Sequence, residues 1–395
     1  MSFRETARHY EPVLESIFEP QPRNPQKERK QNVKNFDEII TDQTKTAVKI
    51  PQSDYLKSGK YRIFDQGKEY SAGFSNEEIG AVKDFPYIIF GDHTRAVKFV
   101  NEPCFIGADG VKLLKVTNAS FDAKYIYYNI LAKPIESHGY TRHFKFLKEI
   151  KFTEKTLSEQ KKIVTHLNSI QTAIDTKNKQ LTQLEGLTKS KFIEMFGEPE
   201  TNPNNFPKKK IDDFATCIAG ATPSTKVPEY WKNGNVPWMS SGEVHLGRIY
   251  DTESKITKLG YDSCSTKMIP AHTVVIALAG QGKTRGTVGI AEISLCTNQS
   301  LCAVIVNKEA NVDYLYSYLQ LQYENLRRIS NGDGGRGGLN LKIIGNFEVI
   351  LPEMKLQNEW ATYVKKIDSA KDIVKSQLKD LRELLDNKMD FYFGE

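Results

Sequence analysis

The chain is written twice, and the two copies agree best where each one ends. Residues 157–198 lie over 354–395 without a gap at a fixed offset of 197, and thirteen of the 42 positions are identical. Gln160, Leu181, Leu184, Phe196, Gly197 and Glu198 are among those that recur. The match continues upstream in steps. Phe36-Asp37-Glu38-Ile39 lies over Ile211-Asp212-Asp213-Phe214 at offset 175, and residues 122–127 lie over 311–316 at offset 189. Constant register inside elements, with steps at loops, is the pattern of a duplicated domain whose loops have diverged. So long a period means two domains rather than a solenoid. It also excludes most single-site enzymes.

The duplicated ends have helical periodicity. Ile163, Leu167, Ile170, Ile174, Leu181 and Leu184 follow steps of three and four, skipping Lys177. Trp360, Val364, Ile367, Val374, Leu378, Leu381 and Leu385 do the same, skipping Lys371. This is the 3.5-residue seam of a coiled coil. At ~1.5 Å per residue each helix makes a rod of roughly 60 Å, and two such helices in one chain most simply pair with each other.

The expected fold is α+β: two similar mixed α/β domains separated by two long helices forming an antiparallel coiled coil, with a pseudo-two-fold internal repeat. The β-rich runs are 87–90, 273–278 and 301–306, bounded by Gly, Asn and Asp turns. Segments 125–132 and 314–321 read as short amphipathic helices. The boundaries are 1–35 for an N-terminal segment, 36–152 for the first domain, 153–198 for the central long helix, 199–210 for a linker, 211–352 for the second domain and 353–395 for the C-terminal long helix. Phe18-Glu19-Pro20 echoes Phe196-Gly197-Glu198. Either the N-terminal segment packs beside the C-terminal helix in a cyclic arrangement, or a proline-rich leader matches by composition.

A formal charge of +6 permits nucleic acid without demanding it. No run reaches the ~20 apolar residues of a membrane span. The five cysteines, at 104, 217, 264, 296 and 302, form no Cys-x-x-Cys pair, which fits a reduced cytoplasm better than a disulfide scaffold or zinc site. The seven histidines show no metal spacing. No metal, cofactor or catalytic residue is expected. Ala279-Gly280-Gln281-Gly282-Lys283-Thr284 is the most enzyme-like stretch, but the first glycine of a phosphate-binding loop would fall at Ala277. A basic Gly-rich turn can instead bring backbone amides, Lys283 and Arg285, or Arg95 in the first copy, to a phosphate chain. It can equally be a tight turn with surface charges.

Two diverged modules on a two-helix spacer form the plan of a bipartite reader. Here the chain resembles the specificity subunit of type I restriction–modification systems. The resemblance rests on Gly338-Leu339-Asn340-Leu341-Lys342, Phe347-Glu348-Val349-Ile350-Leu351-Pro352 and Gln357, and on the first copy's Phe144–Phe152 stretch with Glu159-Gln160. Thr297-Asn298-Gln299 is also similar, although the first copy has Ala108-Asp109-Gly110 there and Lys155 where Pro352 stands. It implies two target-recognition domains, each reading half of a split site in double-stranded DNA, and a helix pair that acts as a ruler and docks two methyltransferase subunits. Restriction–translocation subunits would join these and carry the chemistry.

Base readers must be polar residues on diverged loops, since Arg and Lys suit guanine while Asn and Gln suit adenine. The candidates are Lys68, Tyr70, His93, Arg95, Tyr140, Arg142 and His143 in the first domain. In the second they are Ser241, Glu243, Gln281, Lys283, Arg285, Arg336 and Asn340. Asn298 and Gln299 can read bases or hold a turn. The rival readings are a two-lobed protein–protein adaptor without DNA readout, and a nucleotide hydrolase using Lys283 and Thr284.

Overall fold

A computed structural model describes residues 32–107, 110–139, 141–280, 282–330 and 338–394. Most of the N-terminal segment 1–35, with its expected packing, lies outside the described residues. Two compact units emerge: Met1–Ala173 with Leu381–Glu395, and Ile174–Asp380. Both unit boundaries fall inside long helices, Leu157–Phe196 and Met354–Phe393, of 40 residues each.

Each unit is built round one buried hairpin. In the first unit a four-stranded antiparallel sheet has the order 40–42, 111–116, 87–91, 97–100. In the second the order is 215–219, 301–306, 273–277, 288–291, with 248–249 added in parallel at the edge. Strand 87–91 is buried throughout, and its two faces enter different cores. Ile88 and Phe90 pack with the helices, Tyr87 and Ile89 with the opposing sheet. Strand 273–277 divides in the same way, Val274 and Ile276 against Val275 and Ala277. An alternation of two with both faces covered explains why these runs read as continuous apolar stretches.

The short helices, Ala123–Ala132 and Val312–Leu321, open on matching caps. Asp122 accepts from the amides of Lys124 and Tyr125 at 2.9 and 3.0 Å. Asn311 accepts from Asp313 and Tyr314 at 2.9 and 3.3 Å. Residues 208–210, expected in a linker, instead form a strand paired antiparallel with 348–350, as 33–35 pairs with 151–153. The turn that follows each strand, 36–38 or 211–214, was part of the visible repeat, so the strand before it repeats too.

A buried glutamine fastens each long helix to its domain. Gln160 accepts from the Asp122 amide at 2.8 Å and donates to the carbonyls of Ser120 and Lys155 at 2.8 and 2.7 Å. Gln357 accepts from the Asn311 amide at 2.8 Å and donates to those of Glu309 and Pro352 at 3.2 and 2.7 Å. Both glutamines are fully buried.

Each unit also takes the far end of the other copy's helix. Tyr125 packs against Phe393 of the second long helix with ring centroids 5.2 Å apart. Tyr314 packs against Phe196 of the first at 4.9 Å. Ile163 and Leu167 share the first unit's core with Met389 and Phe393. Phe192 and Phe196 share the second unit's core with Trp360 and Val364. Each such large side chain contributes about 1.5–3 kcal/mol of burial. Every residue of the two periodic seams is buried or half-buried. At the skipped positions Lys177 reaches the Gln180 side chain at 3.3 Å and Lys371 lies 3.7 Å from Asp368. Their aliphatic stems continue the stripe while their charges escape it.

Candidate nucleic-acid interface

Hairpins at matching positions in the two sheets end in turns with the same Thr-Arg pair. In the first unit the hairpin of strands 87–91 and 97–100 carries His93, Thr94 and Arg95. In the second, strands 273–277 and 288–291 carry Lys283, Thr284 and Arg285.

Around the first turn three loops are stitched together. Thr94 donates its hydroxyl to the Gln66 carbonyl, and Arg95, at φ 63°, donates through Nη1 to the Ile135 carbonyl at 3.1 Å. Lys98, buried beneath, donates to the Asp65 carbonyl at 2.9 Å. Burial pushes its ammonium below the ordinary lysine range, against the opposing pull of Asp65 and Glu69. Exposed Lys68, half-exposed Tyr70, half-buried His93 and Arg95, and exposed Arg142 therefore belong to one connected set of loops. Tyr70 stands edge-on to Phe64 at 5.2 Å, with the Arg62 guanidinium 5.7 Å from its ring centre.

His143 is corrected. It is 1% exposed, its Nδ1–H donates to the Asp92 carbonyl at 3.1 Å, and its Nε2 accepts from the His138 amide at 3.3 Å. Both ring nitrogens are thus spent on holding His138 and His143 at Asp92, whose carboxylate accepts from the Phe144 amide at 2.8 Å. Tyr140 lies outside the described residues.

In the second unit Lys283 is exposed and Arg285 half-buried. Among the described residues, 279–280 and 282–284 lie in a hairpin turn and open no helix, which is not the strand–loop–helix that cradles phosphate. Half-buried Ser241 begins the helical turn 241–246. Glu243 is corrected: it is 4% exposed, and its carboxylate accepts from the amides of Ser240 at 2.7 Å and Glu253 at 2.9 Å. Asn340 is exposed, but its side-chain oxygen caps helix Leu341–Gly345 through the Ile343 amide at 2.9 Å. Asn298 holds a turn, accepting from Ser300 at 3.0 Å, and Gln299 bonds to Thr222 at 2.5 Å. Gln281 and Arg336 lie outside the described residues.

Sequence reasoning missed Arg248, which ties the second domain to its long helix. Its Nε is 2.9 Å from Asp368 and its Nη2 is 2.6 Å from Asp313, while Nη1 pairs with Glu292. Despite the desolvation that opposes it, these carboxylates hold the guanidinium above its already high range. No local motif announces a cluster drawn from residues 248 to 368. A cavity of about 390 Å³ that Arg248 helps to line is also bounded by Leu181, Phe192, Leu246, Tyr250, Tyr316 and Trp360. Among the described residues no group of three or more His, Cys, Asp or Glu is placed to hold a metal, and no helix is long and apolar enough to cross a membrane.

Residues 203–383 match the family described as the type I restriction modification DNA specificity domain. The chain is similar to the EcoR124I/EcoR124II specificity subunit of Escherichia coli, 23% identical over 376 residues, covering 90% of this chain and 91% of that protein. The MjaIX specificity subunit of Methanocaldococcus jannaschii is 29% identical over 189 residues, 46% of this chain and 42% of that one. The solved S subunit from M. genitalium shares the fold at a TM-score of 0.60 and 16% identity, covering 94% of this chain and 97% of that one.

Proposed function

We infer that this chain, a specificity subunit of the type I restriction–modification family, is the non-catalytic DNA reader of its complex. We propose that it reads a split site, each domain taking one half. The observation that carries this reading is the pair of matching hairpins, whose turns hold His93-Thr94-Arg95 and Lys283-Thr284-Arg285. Cationic side chains on a turn suit both phosphate oxygens and the guanine edge. Their placement on duplicated elements suits a bipartite target.

In the first domain the proposed contacts are Lys68, Tyr70, His93, Arg95 and Arg142; in the second they are Ser241, Lys283 and Arg285. The two long helices pair as an antiparallel coiled coil and set the distance between half-sites. Their near-symmetry fits two methyltransferase subunits, with restriction–translocation subunits added to these. Methylation, cleavage and ATP use belong to the partners.

The test is a domain exchange. Residues 211–352 are replaced by the corresponding segment of another specificity subunit, and the methylated motif is read with the methyltransferase present. One half-site should change while the other half-site is retained. A change in both would contradict the assignment of one domain to one half-site.

A further inference from the structure

We propose that Arg327, with Tyr323, is a positioning residue for DNA reading: it holds the carbonyls of the second hairpin turn so that Lys283 and Arg285 meet the half-site in one geometry. The proposal rests on the reading of that turn as a DNA contact.

Helix Tyr323–Ile329 lies against the turn. The Arg327 Nη1 donates to the Gly282 carbonyl at 2.9 Å and lies 3.3 Å from that of Arg285. The Tyr323 hydroxyl donates to the Lys283 carbonyl between them at 2.9 Å. The two side chains support each other, with the guanidinium 5.5 Å from the tyrosine ring centre and Nη1 3.2 Å from its hydroxyl. A charged donor thus collects carbonyls from both sides of Lys283, and the tyrosine takes the carbonyl of Lys283 itself.

The turn needs such a fastening. Gly282 at φ 62° and Gly286 at φ 84° occupy left-handed conformations that glycine enters and leaves freely. Left alone, such a segment samples many shapes, and a reader on it would pay ordering entropy on each encounter. With the carbonyls drawn to the helix, the Lys283 side chain remains exposed. The His245 ring, 3.1 Å from the Thr284 hydroxyl, steadies the other edge. The first unit fastens its shorter turn from within, Arg95 donating to Ile135. In the second unit the corresponding function passes to an arginine on a separate helix, outside the turn.

Discrimination between correct and altered bases should therefore depend on Arg327, although its guanidinium is engaged with backbone carbonyls. The experiment uses the full chain assembled with its methyltransferase. Its substrates are duplexes bearing the split site, with each base pair of either half-site replaced singly. Methylation rates are compared for Arg327→Ala, Arg327→Lys, Tyr323→Phe, Lys283→Ala and Arg285→Ala. Arg327→Ala should lower discrimination about 10-fold or more at one or more positions of the half-site that the domain exchange assigns to residues 211–352, leaving the other half-site unaffected. Arg327→Lys, with no planar fork, should fall between Ala and wild type. Tyr323→Phe, which removes one hydroxyl, should show a weaker loss of the same kind.

Undiminished discrimination in Arg327→Ala would overturn the proposal. So would equal losses at both half-sites, the sign of a general folding role. If Lys283→Ala and Arg285→Ala keep full discrimination, the turn is not a reader and the proposal falls, while a split site read by the wild-type chain would still stand. A wild-type complex indifferent to both half-sites would refute the functional reading itself.

Discussion

Replacing Gln357 with Leu should unfold the second unit well before the first. The side chain is fully buried and makes three bonds: from the Asn311 amide at 2.8 Å, and to the carbonyls of Pro352 and Glu309 at 2.7 and 3.2 Å. Leucine fills nearly the same volume, so the cavity penalty is small and the cost is that of stranded polar groups. A buried donor or acceptor left unpaired costs about 1–3 kcal/mol. The amide has a single hydrogen to place, whereas each carbonyl keeps a second lone pair and relaxes more easily. The total comes to roughly 3 kcal/mol, within a range of about 2–5. For a unit of this size that lowers the midpoint by about 6–12 °C. Calorimetry of the full chain should show this in the transition of the second unit. Gln160→Leu should act equally on the first, since its bonds of 2.8, 2.8 and 2.7 Å are the same three. Gln357→Glu keeps the acceptor but turns a charge on two carbonyls, so it should be no milder than Leu. Shifts below about 2 °C for both leucine variants would refute the reasoning that these bonds fasten domain to helix.

Arg248→Met should cost about 3–5 kcal/mol, because Asp313 at 1% exposure and the largely buried Glu292 lose their strongest partner. Adding Asp313→Asn should restore part of that loss in a thermal melt. Burial pushes the Cys104 thiol up to about 12 and the Cys296 thiol up to about 11, so native protein at pH 8 should leave both unmodified by a thiol reagent that titrates Cys264. The reactive thiolate is nearly absent at that pH, and rapid modification of Cys104 would contradict its packing. Lys283→Ala should reduce the slope of log affinity against log salt by about 0.9 if it neutralises one phosphate. An unchanged slope in a salt titration of the complex would remove Lys283 from the phosphate contacts.

How much of this was legible depended on whether the physics was local. The long helices announced themselves through a period of 3.5 and the buried strands as continuous apolar runs bounded by turns, and the gapless offset of 197 placed Gln160 and Gln357 in equivalent positions. Glu243 and Asn340 carried capping signals in the sequence. Ser240-Ser241-Gly242-Glu243 has the spacing of a capping box, and Asn340 directly before Leu341-Lys342-Ile343 is a helix cap by type and place. His143 had none, since its partners His138 and Asp92 are fixed by tertiary packing. Divergence between the copies also hid the Arg248 cluster. Where the second unit places Asp313 against Arg248, the first has Lys124 at the equivalent position, 4.1 Å from the centre of the Phe99 ring and 4.5 Å from that of Tyr127. One copy joins its short helix to the sheet through charge and the other through the cation–π contact of Lys124 with Phe99, so aligning them could not reveal either device.

The central claim is that this chain alone decides which split DNA sequence its complex methylates. The most direct measurement is methylome sequencing of a host carrying its methyltransferase partner, with and without the chain. The account predicts a two-part motif with a fixed spacer, methylated only when the chain is present. An unchanged methylome, with both proteins expressed and associated, would contradict it and favour a two-lobed adaptor without DNA readout.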